Sequence, residues 1–179
     1  MDSRELPEGC DRSSESGCAS GIHVDREGDW YYRNNRITRG DILELFLTSI
    51  RQLPGGVFAL EWRGQRCALD VEDTPFIVSR VDRIQPDGGK PEQILIRLKH
   101  LPDPEVLDLS TLRVGKGNVP YCMVRNGQYL ARFSRPAYYQ LAAWVEQDAL
   151  TGTFFLRLDN RHYPISTSPV PSLSPRDNE

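Results

Sequence analysis

Between Asp108 and Glu146 the chain has no carboxylate side chain, while Arg113, Lys116, Arg125, Arg132 and Arg135 place five cations there. The formal net charge of the whole chain is −3, so this stretch is a local field of opposite sign. Arginine offers phosphate or carboxylate two parallel N–H donors, and the chemistry within reach is anion recognition. Two arrangements satisfy the pattern. Either the arginines collect a small anionic ligand, or they form a solvated basic face balanced by acids elsewhere, with Asp70, Glu72 and Asp73 as one concentrated source. The two are compatible if an acidic loop occupies the basic groove when no ligand is present. Arg125 and Arg132 fall on the two strands of one expected hairpin and Arg135 opens the next helix, so the three are expected to lie together.

Arg39 and Arg135 each follow a helix-capping hydroxyl, Thr38 and Ser134. A helix N-terminus beside an arginine suits an anion, although bracing of each helix by its own arginine comes first as an explanation. The run Asp70-Val71-Glu72-Asp73 suggests a divalent cation. On a strand only Asp70 and Glu72 would share a face, and an ordered loop that packs Phe76 into the core fits better. His23, His100 and His162 stand in different segments without a recognisable nucleophile motif. Gly115-Lys116-Gly117-Asn118 lacks the spacing of a phosphate loop. Cys10, Cys18, Cys67 and Cys122 have no zinc-like spacing and read as free thiols. These residues lean away from an enzyme and from a metal site, and they identify no cofactor.

The elements that must position these groups repeat. Residues 37–69 align with 133–165 at a constant offset of 96 without a gap, placing Leu45 on Leu141, Gly56 on Gly152, Phe58 on Phe154 and Leu60 on Leu156. Each copy reads as a Ser/Thr-Arg helix start, an amphipathic helix, a glycine turn and a short hairpin. The expected fold is α+β, a duplicated helix-plus-antiparallel-hairpin unit in two halves, with any ligand at their interface.

Helices are expected over 39–53, with Ile42, Leu45, Phe46 and Ile50 as the buried stripe, and over 135–149, with Tyr138, Leu141, Ala142 and Val145. Thr38 and Asp41 read as a capping-box variant for the first. Asn126-Gly127 signals a tight type I′ turn. The core should include Leu45, Phe46, Phe58, Leu60 and Phe76, then Leu141, Phe154 and Leu156. The boundaries run as a disordered tail over 1–20, a first half over 21–101, a second half over 102–166 and a disordered tail over 167–179, where polar and proline-rich composition prevails.

Apolar residues make up 39% and charged residues 26% of the 179, which is ordinary for a globular protein. The net acidity argues against general nucleic-acid binding. No apolar run approaches a membrane span and no secretory pattern opens the chain, so the cytoplasm is the expected compartment.

Gly28-Asp29-Trp30, Ile37-Thr38-Arg39, Leu45-Phe46, Val71-Glu72-Asp73-Thr74-Pro75-Phe76, Pro120-Tyr121, Val124-Arg125, Ala131-Arg132 and Arg135 form a recurring pattern. Through them the chain resembles the uncharacterised bacterial family catalogued as domain of unknown function 1285, over roughly 22–165. The resemblance implies a duplicated α+β core with a second half like a pleckstrin-homology fold. It also implies a site between the halves for a nucleotide-like molecule, and a role in signalling. The residues expected at a site are Arg39, Glu72, Asp73, Tyr121, Arg125, Arg132 and Arg135. Many relatives carry Thr-Asn where this chain has Lys99-His100, and residues 102–118 match poorly. The expected function is a non-enzymatic sensor or regulatory module for a small anionic ligand. The alternative is a protein–protein adaptor with no small-molecule ligand.

Overall fold

The computed structural model describes residues 18–85, 88–89 and 91–167. The chain opens with β1 (Cys18–Val24), turns through residues 25–29 into β2 (Trp30–Tyr32), and continues to the short β3 (Asn35–Arg36). Helix α1 (Gly40–Ser49) leads to β4 (Ile50–Gln52), β5 (Phe58–Trp62) and β6 (Gln65–Val71). Next come β7 (Phe76–Ile84), β8 (Gln93–Leu98), β9 (Pro104–Val106) and β10 (Arg113–Val114). The hairpin of β11 (Pro120–Val124) and β12 (Tyr129–Phe133) precedes α2 (Arg135–Ala142). The last strands are β13 (Val145–Gln147), β14 (Phe154–Leu158) and β15 (Arg161–Pro164).

These strands make a first sheet of order β3-β2-β1-β6-β5-β4, a second of order β10-β11-β12-β7-β8-β9, and a third of β13-β14-β15. The class is α+β with mixed sheets: β1 runs parallel to β6 and β12 parallel to β7, while the other pairings are antiparallel. Phe76, Ile77 and Val78 are at most 2% exposed, as befits a strand covered on both faces. Strands β7 and β8 lie within the expected first half, yet β7 pairs with β12 and β8 with β9, both of the expected second half. The change of sheet falls at residues 72–75, between β6 and β7, and not near residue 101.

Both helices are shorter than their periodicity suggests. Ile50 pairs with Leu60 and Val145 with Leu156, so each helix gives way to a strand where a β-branched residue finds a cross-strand partner. The buried residues of α1 are Leu43, Phe46 and Leu47, Ile50 is buried as the first residue of β4, and Leu45 is only half-buried. The N-cap of α1 is Arg39 and carries no side-chain cap bond, which removes the expected Thr38 capping box. Helix α2 is capped as expected, with Ser134 Oγ accepting from Ala137 N at 3.4 Å.

Phe46, Phe58, Leu60, Phe76, Leu141 and Leu156 are buried, but Phe154 is 48% exposed. On α2 the buried residues are Ala137 and Leu141, while Tyr138 is 37% exposed. The β11–β12 connection is a four-residue loop in which Arg125, Asn126 and Gly127 all have positive φ (53°, 58° and 76°), in place of a two-residue Asn126-Gly127 turn. The series α1-β4-β5-β6 and α2-β13-β14-β15 have the same order, and β5 and β14 stand 96 residues apart (154 − 58). The expected tails and Cys10 fall outside the described residues, except that residues 18–20 already belong to β1 and Thr167 is described. Among the described residues no helix is long and apolar enough to cross a membrane.

Candidate functional site

Register places one polar row across the second sheet. Arg113 pairs with Tyr121, Tyr121 with Arg132, and Arg132 with Ile77, so all four side chains share a face. The β1–β2 turn and the linker 72–75 come to this face. Gly28 has φ +72° in that turn, and a Cβ there would stand 2.3 Å from Ile77 Cγ1. Only glycine tolerates both the left-handed backbone and the close approach. Lys99, just past β8, donates its backbone N–H to Ile77 O at 2.8 Å and its Nζ to Glu27 O at 2.9 Å and Asp29 Oδ1 at 2.7 Å.

Asp73 supplies the carboxylate at the centre. Its Oδ2 accepts from Tyr121 OH at 2.8 Å and from Arg132 Nη1 at 3.2 Å. Arg132 Nη2 also lies 3.9 Å from Glu27 Oε1. The adjoining Thr74 is fully buried and donates its hydroxyl to Leu130 O, which pins the linker to β12. Burial, then the hydrogen bond and charge of Asp73, push the Tyr121 hydroxyl up to about 12. It is therefore a neutral donor at physiological pH. Asp29 is held below the usual carboxylate range: burial opposes this, and the bonds from Lys99 and Arg36 outweigh it. His100 stands at φ +67°, and its Nε2 is buried without a hydrogen-bond partner. Burial first, and the Lys99 charge second, lower its basicity.

Of the seven residues expected at a site, the structure brings together Asp73, Tyr121 and Arg132. Glu72 turns away, accepting from His23 Nε2 at 3.1 Å and lying 3.6 Å from Arg26 Nε, while His23 Nδ1 meets Asp70 at 3.1 Å. Arg125 sits in the β11–β12 loop, where its backbone N–H donates to Glu105 Oε2 at 2.8 Å and its Nη1 lies 3.8 Å from Oε1. Arg135 is exposed at the start of α2 and forms no ion pair among the described residues. Arg39 forks onto Asp41 at 3.2 and 2.6 Å.

The three arginines expected to lie together have different partners: Arg125 meets Glu105, Arg132 meets Asp73, and Arg135 forms no ion pair among the described residues. The length of β12, roughly 15 Å for five residues, separates the loop from the helix start. Sequence reasoning did not place Glu27, Asp29, Lys99 or Arg113 at the site. Gly28-Asp29-Trp30 and Lys99-His100 were visible as local features, but their contact depends on pairing between distant strands.

Other groups lend little chemistry. Cys122 is buried, and burial raises its thiol well above the ordinary range, which leaves it protonated and inert. Among the described residues no group of three or more His, Cys, Asp or Glu is placed to hold a metal. A polar groove of about 740 Å³ lies between β9 and the β11–β12 loop, lined by Glu105, Asp108, Arg125 and Gln128. A mainly apolar cleft of about 400 Å³ separates α2 and the third sheet from β10 and β11.

No family model matches this chain, and no curated protein matches it. Solved structures do. A DUF1285 family protein from Silicibacter pomeroyi DSS-3 superposes with a TM-score of 0.66 at 23% identity, covering 85% of this chain and 82% of that one. A DUF1285 family protein from Shewanella baltica OS155 gives a TM-score of 0.55 at 15% identity, over 68% of this chain and 90% of the other. The resemblance to DUF1285 proteins is therefore one of fold.

Proposed function

We propose that this chain is a non-enzymatic regulatory module that binds a small anionic, nucleotide-like ligand on the row formed by Arg113, Tyr121 and Arg132. Asp73 is the internal carboxylate that the ligand replaces. The observation that carries this reading is the bonding of one Asp73 oxygen to both Tyr121 and Arg132. A phosphate at that point keeps both donors and has further oxygens for Arg113, which forms no ion pair among the described residues. The cost of displacement is modest because Asp73 keeps some solvent access, its side chain being 23% exposed. On the same reading the module acts in cytoplasmic signalling. The matching order of α1-β4-β5-β6 and α2-β13-β14-β15 then reflects a duplication, the second copy being the pleckstrin-homology-like half.

The test is a thermal-shift titration with adenosine monophosphate and with inorganic phosphate. Wild type should gain stability with ligand, Asp73→Asn should respond at lower concentration, and Arg132→Gln should lose the response. An unchanged response in Arg132→Gln refutes the site. A second reading, a protein adaptor, draws on Tyr139 and Leu150, which are 69% and 97% exposed. Capture of a protein partner by wild type, and its loss in Tyr139→Ser, would favour the adaptor.

A further inference from the structure

The apolar cleft below α2 is built from side chains that the proposed interface site does not use. Leu112 and Val114 form one wall, Tyr138 and Leu141 of α2 another, and Val145 with Phe154 close it from the third sheet. Strand alternation keeps it apart from the polar row. Val114 pairs with Pro120, both lining the cleft, whereas their neighbours Arg113 and Tyr121 pair on the opposite face. Tyr138 and Phe154, 37% and 48% exposed, are two of the large apolar side chains left open to solvent. They lie in one concavity, where single scattered apolar residues would call for no explanation.

Two exposed cations stand close in sequence to residues that line the cleft. Arg135 stands three residues before Tyr138 on α2, and residues at that spacing are neighbours on one helix face. Lys116 stands two residues before Asn118, which lines the cleft. Both cations are exposed, and neither forms an ion pair among the described residues. Both belong to the acid-free stretch, so no carboxylate near them in sequence neutralises them. A volume of about 400 Å³ falls at the small end of organic-ligand sites. It is too small to seat a partner helix, which is about 10–12 Å across with its side chains.

We infer that this cleft binds an amphiphilic anion of small-molecule size, a medium-chain carboxylate whose alkyl chain lies among Leu112, Leu141 and Phe154 and whose head faces Arg135 and Lys116. The apolar walls supply affinity in proportion to the area they cover. The two cations give preference for a charged head over a neutral one of equal length.

The experiment is calorimetric titration of the full chain with decanoate and with decanol, its uncharged counterpart, below their self-association concentrations. Wild type should bind decanoate about fivefold more tightly than decanol, the scale of one solvent-exposed ion pair. Arg135→Gln should bring the two close to parity while leaving decanol binding as it was. Ala142→Phe, which fills the cleft, should weaken both more than tenfold. If that variant fails to unfold cooperatively, Phe154→Ala takes its place, because removing a half-exposed wall should weaken both without disturbing the fold. Arg132→Gln should bind decanoate like wild type, which separates this cleft from the interface site. Absence of decanoate binding to wild type overturns the inference, as does full binding to folded Ala142→Phe and Phe154→Ala.

Discussion

The segments α1-β4-β5-β6 and α2-β13-β14-β15 have the same order of elements but different surroundings. In the first, β6 accepts β1 as a parallel neighbour, and β1 brings β2 and β3 with it to complete a six-stranded sheet. In the second, the three strands form a separate small sheet, tied to β10 through a bridge between Ser166 and Arg113. The consequence shows at matched positions. Phe58 is 4% exposed, while Phe154, 96 residues later (154 − 58), is 48% exposed. A helix-and-hairpin segment becomes core where long neighbouring strands continue its sheet, and the wall of a cleft where they do not. Burial is a property of the surroundings rather than of the unit.

The sharpest test of that difference is a matched pair of truncations. Phe58→Ala should cost about 3–5 kcal/mol through lost burial and a residual cavity, whereas Phe154→Ala should cost below about 1 kcal/mol. Urea denaturation of both variants measures this, and equal losses would break the contrast. The turns offer a second pair. Gly28 and Gly152 both have positive φ, but a Cβ at 28 would meet Ile77 and one at 152 would meet only Gln147 Nε2 at 3.9 Å. Gly28→Ala should cost about 3–4 kcal/mol, backbone strain plus overpacking, and Gly152→Ala about 1 kcal/mol for strain alone.

A third pair concerns charge. Arg132 is 19% exposed beside Asp73, while Arg157 is 51% exposed despite contacts of 2.6, 2.9 and 3.1 Å with Glu146. Arg132→Gln should destabilise by about 1–2 kcal/mol because it leaves Asp73 short of one of its two donors. Arg157→Gln should stay within about 0.5 kcal/mol, since water screens that pair.

The smallest expected effect is with pH, and it is argued for two groups, His100 just past β8 and Asp29 in the β1–β2 turn. His100 is less basic folded than its ordinary 6.5, so the unfolded chain takes up protons first, and stability should begin to fall as pH drops through 6.5. Asp29 is more acidic folded than its ordinary 3.8, so its contribution is present above that pH and is lost as pH falls through the lower folded value. Urea midpoints at pH 7.5 and 5.5 should separate in wild type and converge in His100→Asn. Asparagine also suits the left-handed backbone at that position better than histidine does. Equal midpoints in wild type would remove His100 from the account.

Local signals were legible wherever a residue acts on its own neighbours. The Ser134 cap of α2, the strands carrying Phe58, Leu60 and Leu156, the burial of Phe76 and the acid-free stretch all follow from side-chain type and spacing. So does the α+β class. Side-chain periodicity overran the helices because Ile50 and Val145 fit either state, and a cross-strand partner chose the strand. Charge composition marked Arg125, Arg132 and Arg135 as alike, yet the fold gave Arg125 to Glu105 and Arg132 to Asp73 and left Arg135 exposed at the start of α2. The parallel pairing of β12 with β7 joins residues more than fifty positions apart. It sets Arg132 beside Ile77, under Gly28 and Lys99, and no local pattern encodes that meeting. Sequence determined which charged groups this protein carries and which segments alternate. Tertiary structure decided which of those groups face one another, because strand register and sheet order are set by global burial and not by neighbours in the chain.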